Sequence, residues 1–330
     1  MIKHANKKFE KIYNDVNAIY SYILTSSEIE KISNNIIKLL KVNSNNKNAN
    51  INEKDILLIT YANTIKSKKN KPLTILNDFL NNFIKNSINI VHILPYYPSS
   101  SDGGFAVVDF FKVDSKYGNW SDLKKISKSY KIMSDVVLNH ASSKSIWFKN
   151  FLKGKGKGKD YFLYYDKDIN TKNVTRARSH KLIQKFDTNK GKKYVWCTFS
   201  KDQVDFDFKN PDVLIVFIKL ILFLQNKGIN FFRFDAVAFI WKRLDTSCIN
   251  LDQTHAIVRL FRTILSFSNK CSKIITETNL PFHENLSYFG NSDEAQIIYN
   301  FSLAPLIINT LVKGNSAAFR RWSMSMPPAK

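Results

Sequence analysis

The sequence predicts an α/β fold built on a parallel sheet or a (β/α) barrel, and three observations carry that expectation. From Ile56 onward, short apolar runs alternate with helical stretches, the pattern of successive strand–helix units. One run, Phe231-Phe232-Arg233-Phe234-Asp235-Ala236-Val237-Ala238-Phe239, reads as a buried strand after a Gly228-Ile229-Asn230 turn, and its Arg and Asp, two apart, point to one face. The alternation breaks once: residues 141–205 are rich in Gly, Lys and aromatics without periodicity, as expected of a small domain inserted after the third strand.

Taken in order, residues 1–40 give two amphipathic helices, with Ile12, Val16, Ile19 and Tyr20 on one face and Ile29, Ile32, Ile36 and Leu39 on the other. An Asn-, Lys- and Ser-rich linker is expected over 43–54. Strand Ile56–Tyr61, helix Leu73–Asn86, strand Ile88–Leu94 closed by Pro95, helix Asn119–Tyr130 and strand Ile132–Leu138 follow. Within the insertion, the Lys153–Lys159 run alternates Lys with Gly, lacks phosphate-loop spacing, and is expected to be a mobile solvated loop. Helix Asp212–Asn226, the Arg233 strand, helix Thr254–Ser266, strands Lys273–Thr276 and Ala295–Phe301, and helix Pro305–Lys313 bring the count to six strand–helix units. The expected organisation is a helical extension and linker over 1–54, barrel over 55–140, the insertion over 141–205, and barrel again over 206–330.

Composition narrows the function. With 44% hydrophobic and 13% aromatic residues there is ample core material, and the net charge of +23 raises the question of nucleic acid or anionic membrane. Only 8 of the 50 basic residues are Arg, and the lysines are scattered among Asn and Ile, so no nucleic-acid partner is expected. The apolar run Val213–Leu224 is broken by Lys219 and too short to span a bilayer, and no signal peptide is evident; no membrane partner is expected. Cys197, Cys248 and Cys271 have no metal-ligand spacing, which fits a reduced, cytoplasmic setting.

Three strand ends deliver polar clusters: Asn139-His140, Arg233 with Asp235, and Glu277. In a (β/α) barrel such ends converge on one face. Two carboxylates facing one pocket suit double displacement at a sugar carbon, one as nucleophile and the other as proton donor. Arg233 would keep Asp235 ionised; a structural ion pair at a strand end is the other reading of the same two residues. His140 suits a sugar hydroxyl or a structural role.

The motifs Asp135–His140, Arg233–Ala236 and the Glu277 strand resemble the short conserved regions of the α-amylase superfamily, glycoside hydrolase family 13. His92–Pro98, Ser100–Phe105, Trp147-Phe148, Tyr194–Ser200, Asp202–Asp205, Glu277–Asn279, Glu284–Gly290 and Ala304–Leu306 narrow the resemblance to its sucrose phosphorylase subfamily, which includes glucosylglycerol and glucosylglycerate phosphorylases. The resemblance runs from about Leu57 onward and implies a (β/α)8 TIM-barrel type fold. It implies a retaining α-glucoside phosphorylase with Asp235 as nucleophile and Glu277 as general acid/base. Arg233 and His140 would hold the nucleophile and glucosyl ring, Asp102 would grip a distal hydroxyl with Phe105 as ring platform, and Arg178 would face the acceptor. Asp102 also suits a plain turn before two glycines.

Inorganic phosphate is then the co-substrate, an α-glucoside the small-molecule partner, and no cofactor or metal is implied. Ala177 stands where the family usually has Pro, and Gly103 where close relatives often have Asp. The family also has a third catalytic Asp after a His on a seventh strand, an eighth strand and a C-terminal β domain. The chain reaches Ser325–Lys330 before such a strand and contains no His-Asp pair. The expectation is an incomplete barrel of six units in a truncated or split product. Its activity would be reduced or absent, its sheet edge open, and its missing strands supplied by a second polypeptide. A hydrolase or transglucosidase of the same superfamily, or an inactive fragment, are the alternatives.

Overall fold

A computed structural model describes residues 2–40, 51–269 and 271–326; most of the linker expected over 43–54 and the last residues of the chain lie outside them. Two helices open the chain, α1 (Ile2–Tyr20) and α2 (Ser26–Leu39). Thr25 caps α2 in a reciprocal capping box with Glu28. The predicted apolar faces are buried: Ile12, Val16, Ile19, Tyr20, Ile29 and Ile36 belong to the same core as the sheet. Asp15 accepts a hydrogen bond from Thr263 at 2.6 Å, and the Tyr20 hydroxyl donates to the Phe208 carbonyl at 2.9 Å. These helices are therefore part of the main body.

The sheet begins with β1 (Leu57–Thr60), α3 (Pro72–Phe83), β2 (Ile90–Ile93), α4 (Trp120–Ser129) and β3 (Lys131–Val137). Pro72 opens α3, and Asn119 with Asp122 makes the box that starts α4. The insertion is built from β4 (His140–Ser142), α5 (Ile146–Lys153), β5 (Tyr164–Tyr165), β6 (Ile183–Thr188), β7 (Gly191–Trp196) and β8 (Gln203–Asp205). The antiparallel pair β4–β8 forms its neck, and β5, β7 and β6 make a separate antiparallel sheet. The Lys/Gly run is no free loop: Gly154 ends α5 in a left-handed cap, and Asn150 Nδ2 donates to the Lys157 carbonyl at 2.8 Å. A Cβ on Gly158 (φ 87°) would stand 2.7 Å from Trp147 Cβ.

The main sheet resumes after α6 (Pro211–Asn226) with β9 (Ile229–Asp235), α7 (Asp252–Ser268) and β10 (Lys273–Thr276). It ends with α8 (Phe282–Leu286), β11 (Ile297–Ile298), α9 (Leu303–Lys313) and α10 (Ala317–Met324). The six strands run parallel in the order β1-β2-β3-β9-β10-β11, a half-barrel. The apolar run expected over Val213–Leu224 is α6, buried on nearly every side; no helix among the described residues is long and apolar enough to cross a membrane. Two strands are shorter than their apolar runs. β9 stops at Asp235 because Ala236 turns left-handed (φ 51°) and Val237–Phe239 form a 3-10 turn. Only Ile297 and Ile298 of the expected Ala295–Phe301 strand pair with β10. Among the described residues both sheet edges are open: β1 and β11 are the outer strands, Leu57 and Ile59 of β1 are 41% and 52% exposed, and α9 buries no residue.

Candidate active site

The C-terminal ends of β3, β9 and β10 and the insertion's neck surround a cleft of about 240 Å³ lined by Asp102, Phe105, His140, Arg178, Phe199, Gln203, Arg233, Asp235, Ala236 and Glu277. All seven residues singled out from the sequence line it. A larger groove, about 600 Å³ beside Lys66–Pro72 and Lys116-Tyr117, contains no carboxylate.

Arg233 is the centre of the site. Its Nη1 donates to Asp135 Oδ1 at 2.6 Å and to Asp235 Oδ1 at 2.7 Å, while Nη2 lies 4.0 Å from Glu277 Oε1. The register explains the first contact, since Asp135 on β3 pairs with Arg233 on β9. Nε donates to the Tyr299 hydroxyl at 3.2 Å, and the guanidinium carbon lies 5.3 Å from the Tyr299 ring centre and 5.7 Å from that of Phe105. Phe105, expected as a sugar platform, thus also packs on the cation. Burial alone would pull the guanidinium down, but Asp135, Asp235, Tyr299 and Glu277 outweigh it and keep it charged. His92 Nε2 meets Asp135 Oδ2 at 2.8 Å, both side chains fully buried.

Asp235 does not have Arg233 to itself. Burial pushes its carboxyl up to about 7; Arg233 pulls it down, while Glu277 and Asp135 add to the rise. The expectation that Arg233 keeps Asp235 ionised meets a larger competing effect, the burial of the carboxyl, and the same guanidinium nitrogen also serves fully buried Asp135. The backbone turn at Ala236 aims its N–H at Glu277 Oε2, 3.0 Å away, so the two carboxylates face one space. A left-handed non-glycine residue costs roughly 1–2 kcal/mol, and it stands here directly beside Asp235.

On the other wall, Gln203 Nε2 donates to Asp102 Oδ2 at 2.8 Å and lies 3.1 Å from His140 Nε2. Asp102 occupies a turn, as one reading had it, yet its carboxylate reaches the cleft. The turn is tight: a Cβ on Gly104 would stand 2.6 Å from the Pro95 carbonyl oxygen. The hydroxyls of Ser100, Ser101, Ser142 and Ser143 all donate to Asp202, fastening this loop to the neck. Burial lowers the His140 imidazole to about 4, with Lys242 adding to the fall and Asp205 and Asp102 opposing it. Arg178 is exposed at the rim. Among the described residues no three His, Cys, Asp or Glu side chains converge as metal ligands. Asp135, Tyr299, Gln203 and Lys242 were not singled out from the sequence. Lys242 did carry a signal, as the first of the cation pair Lys242-Arg243 that ends the apolar stretch Val237–Trp241.

The profile of the alpha amylase catalytic domain matches residues 78–325. The chain belongs to the α-amylase catalytic-domain family. It is 36% identical over 319 residues to the glucosylglycerate phosphorylase of Escherichia coli K12, covering 96% of this chain and 57% of that protein. To the glucosylglycerate phosphorylase of Spirochaeta thermophila it is 41% identical over 272 residues, 82% of this chain and 46% of that protein. The crystal structure of sucrose 6F-phosphate phosphorylase from Thermoanaerobacter thermosaccharolyticum superimposes with a TM-score of 0.75 at 25% identity, covering 84% of this chain and 58% of that one. The α-amylase family fold is thus present as an incomplete (β/α)8 barrel of six parallel strands. The chain spans about half the length of the curated relatives it matches.

Proposed function

We propose that this cleft performs retaining glucosyl transfer from an α-glucoside to phosphate. In the first step an Asp235 oxygen attacks the anomeric carbon, the bond to the leaving oxygen breaks, and Glu277 gives that oxygen its proton. In the second, hydrogenphosphate attacks the same carbon, the bond to Asp235 breaks, Glu277 recovers a proton from the phosphate, and α-glucose 1-phosphate leaves. The observation that carries this reading is the pair of carboxylates at the ends of neighbouring strands β9 and β10, tied to one guanidinium and one backbone N–H. Such close ties favour the ~5–5.5 Å spacing of retaining enzymes over the wider one of inverting enzymes. His140, Asp102 and Phe105 take the glucosyl unit, and Arg178 at the rim takes the acceptor. Glycerate is the proposed leaving group, supported by the 36–41% identity to glucosylglycerate phosphorylases against 29% to the sucrose phosphorylase of Streptococcus mutans. The only co-substrate proposed is inorganic phosphate, without a cofactor. The free cysteines suit a cytoplasmic setting.

The open edges β1 and β11 and the unburied α9 support a second proposal, that further polypeptide of barrel type pairs there, from another chain or a longer form of this one. The test uses 5-fluoroglucosyl fluoride, alone and after adding a polypeptide covering the remainder of the Escherichia coli relative. Mass spectrometry of the digest is expected to find the sugar on the peptide containing Asp235. A label on another residue, or none in either mixture, overturns the assignment. Glucosylglycerate turnover then distinguishes the acceptors. Glucose 1-phosphate made only with phosphate supports the phosphorylase, and equal glucose release with or without phosphate supports a hydrolase. In that assay Arg178→Ala is expected to lower phosphate use several-fold more than hydrolysis.

A further inference from the structure

Behind the His140 wall lies a buried cation that the mechanism above does not use. Lys242 is 4% exposed, and its ammonium donates to Asn139 Oδ1 at 2.7 Å and meets Asp205 Oδ2 at 2.7 Å. Asp205, fully buried on β8, also accepts from the Thr198 N–H at 2.9 Å and the Thr198 hydroxyl at 2.5 Å. An ammonium has only donors, so the atom of Asn139 facing it must be the carbonyl oxygen. That settles the amide orientation and turns the Asn139 NH2 toward Asp205 Oδ2 at 3.0 Å and His140 Nδ1 at 3.3 Å. On the other side of the ring, the Gln203 amide is oriented in the same way: its oxygen accepts from Ser200 and its NH2 donates to Asp102. Both ring nitrogens of His140 therefore have an NH2 donor in reach, and the Phe105 backbone, which also hydrogen-bonds the ring, can take the single N–H of a neutral imidazole but leaves a second proton without an acceptor.

We propose that Lys242 is a positioning residue: by pinning the Asn139 amide it keeps His140 a neutral imidazole, so that the cleft wall offers a sugar an uncharged ring. The functional meaning rests on the glucosyl-transfer reading, but the device itself does not require a sugar. The charged groups facing His140 are Asp205 and Lys242 behind it and Asp102 beside it, with Arg233, Asp235 and Glu277 across the cleft. Phe199 covers the ring, its centre 5.3 Å from that of His140. Without the ammonium, the Asn139 amide loses one of the two bonds that orient it, and Asp205 loses the cation that offsets its charge beside the ring. Both changes favour imidazolium.

The test is an NMR titration of the histidine ring protons of the chain without ligand, with the His140 signal assigned by its loss in His140→Asn. In the wild type, His140 is expected to titrate about two units or more below an ordinary histidine, as a buried ring among donors does. A wild-type titration near 6.5 overturns the proposal without any variant. Lys242→Met is expected to raise the midpoint by about one unit or more, a tenfold gain in proton affinity, and Lys242→Arg to leave it nearly in place. Asn139→Asp, which replaces the donor with a carboxylate, raises it even with Lys242 present. A midpoint unmoved in Lys242→Met, with the fold intact by circular dichroism, refutes the role. Should Lys242→Met not fold, Asn139→Asp and the wild-type midpoint decide. Because no sugar is present, failure here leaves the glucosyl-transfer reading standing, and failure of the trapping experiment leaves this one standing.

Discussion

Replacing Asp235 by Asn tests the electrostatics of the cleft directly. The Asp235 carboxyl lies at about 7 in the folded chain against an ordinary 3.8. A carboxyl raised on folding binds more protons folded than unfolded between those values, so stability falls as pH rises from about 4 to about 7. The rise is about three units at about 1.4 kcal/mol each, which sets roughly 4 kcal/mol as the ceiling of the pH-dependent loss. Asn cannot ionise and escapes that loss, while the pH-independent part of the substitution cancels when two pH values are compared. Urea unfolding of both proteins at pH 4 and pH 8 is therefore expected to show Asp235→Asn gaining about 3 kcal/mol on the wild type over the interval. A relative stability that stays flat would show that Arg233 offsets burial in full. A shift in the opposite direction would show that the guanidinium holds Asp235 ionised in the folded chain and refute the reasoning given for the raised carboxyl.

Two further outcomes follow from the same contacts. Arg233→Met leaves Asp135 buried beside His92 without its guanidinium partner and is expected to lower unfolding stability at neutral pH by about 3–5 kcal/mol, well beyond the effect of an exposed arginine. Thermal melts of Arg233→Met and Arg176→Met side by side check this. Tyr20→Phe removes the buried bond to the Phe208 carbonyl and is expected to cost about 1–3 kcal/mol by urea unfolding, because the carbonyl is left without that donor.

The sequence revealed most where period and chemistry agreed. Strand Lys273–Thr276 was read without error, and helices α4, α6 and α7 to within two residues, because caps such as Asn119 and Asn210 and dense apolar faces mark them. Strand ends were harder. Nothing in the apolar run Phe231–Phe239 announces that Ala236 leaves the extended region for a turn in which its N–H meets Glu277 from the neighbouring strand end. The seven site residues were legible because they sit in recognisable motifs. Asp135 was hidden inside such a motif, while Tyr299, within the expected strand Ala295–Phe301, and Lys242, directly after the apolar stretch Val237–Trp241, meet their partners only once distant strands come together. The Lys/Gly run is solvated as its composition says, with Lys153, Lys155, Lys157 and Lys159 exposed, and only the burial of Gly158 against Trp147 was hidden.

The docking of α1 has a consequence for biosynthesis. Its Asp15–Thr263 bond joins residues 248 positions apart, and the apolar face of Ile12, Val16, Ile19 and Tyr20 is completely covered in the finished molecule. On the ribosome that face finds its partner α7 only after those 248 residues have been added, roughly 12–50 s later at ~5–20 residues per second. For that interval α2, which also packs on α1, is the neighbour at hand, and the part of the greasy face that α7 covers waits uncovered, open to a holding chaperone or a protease.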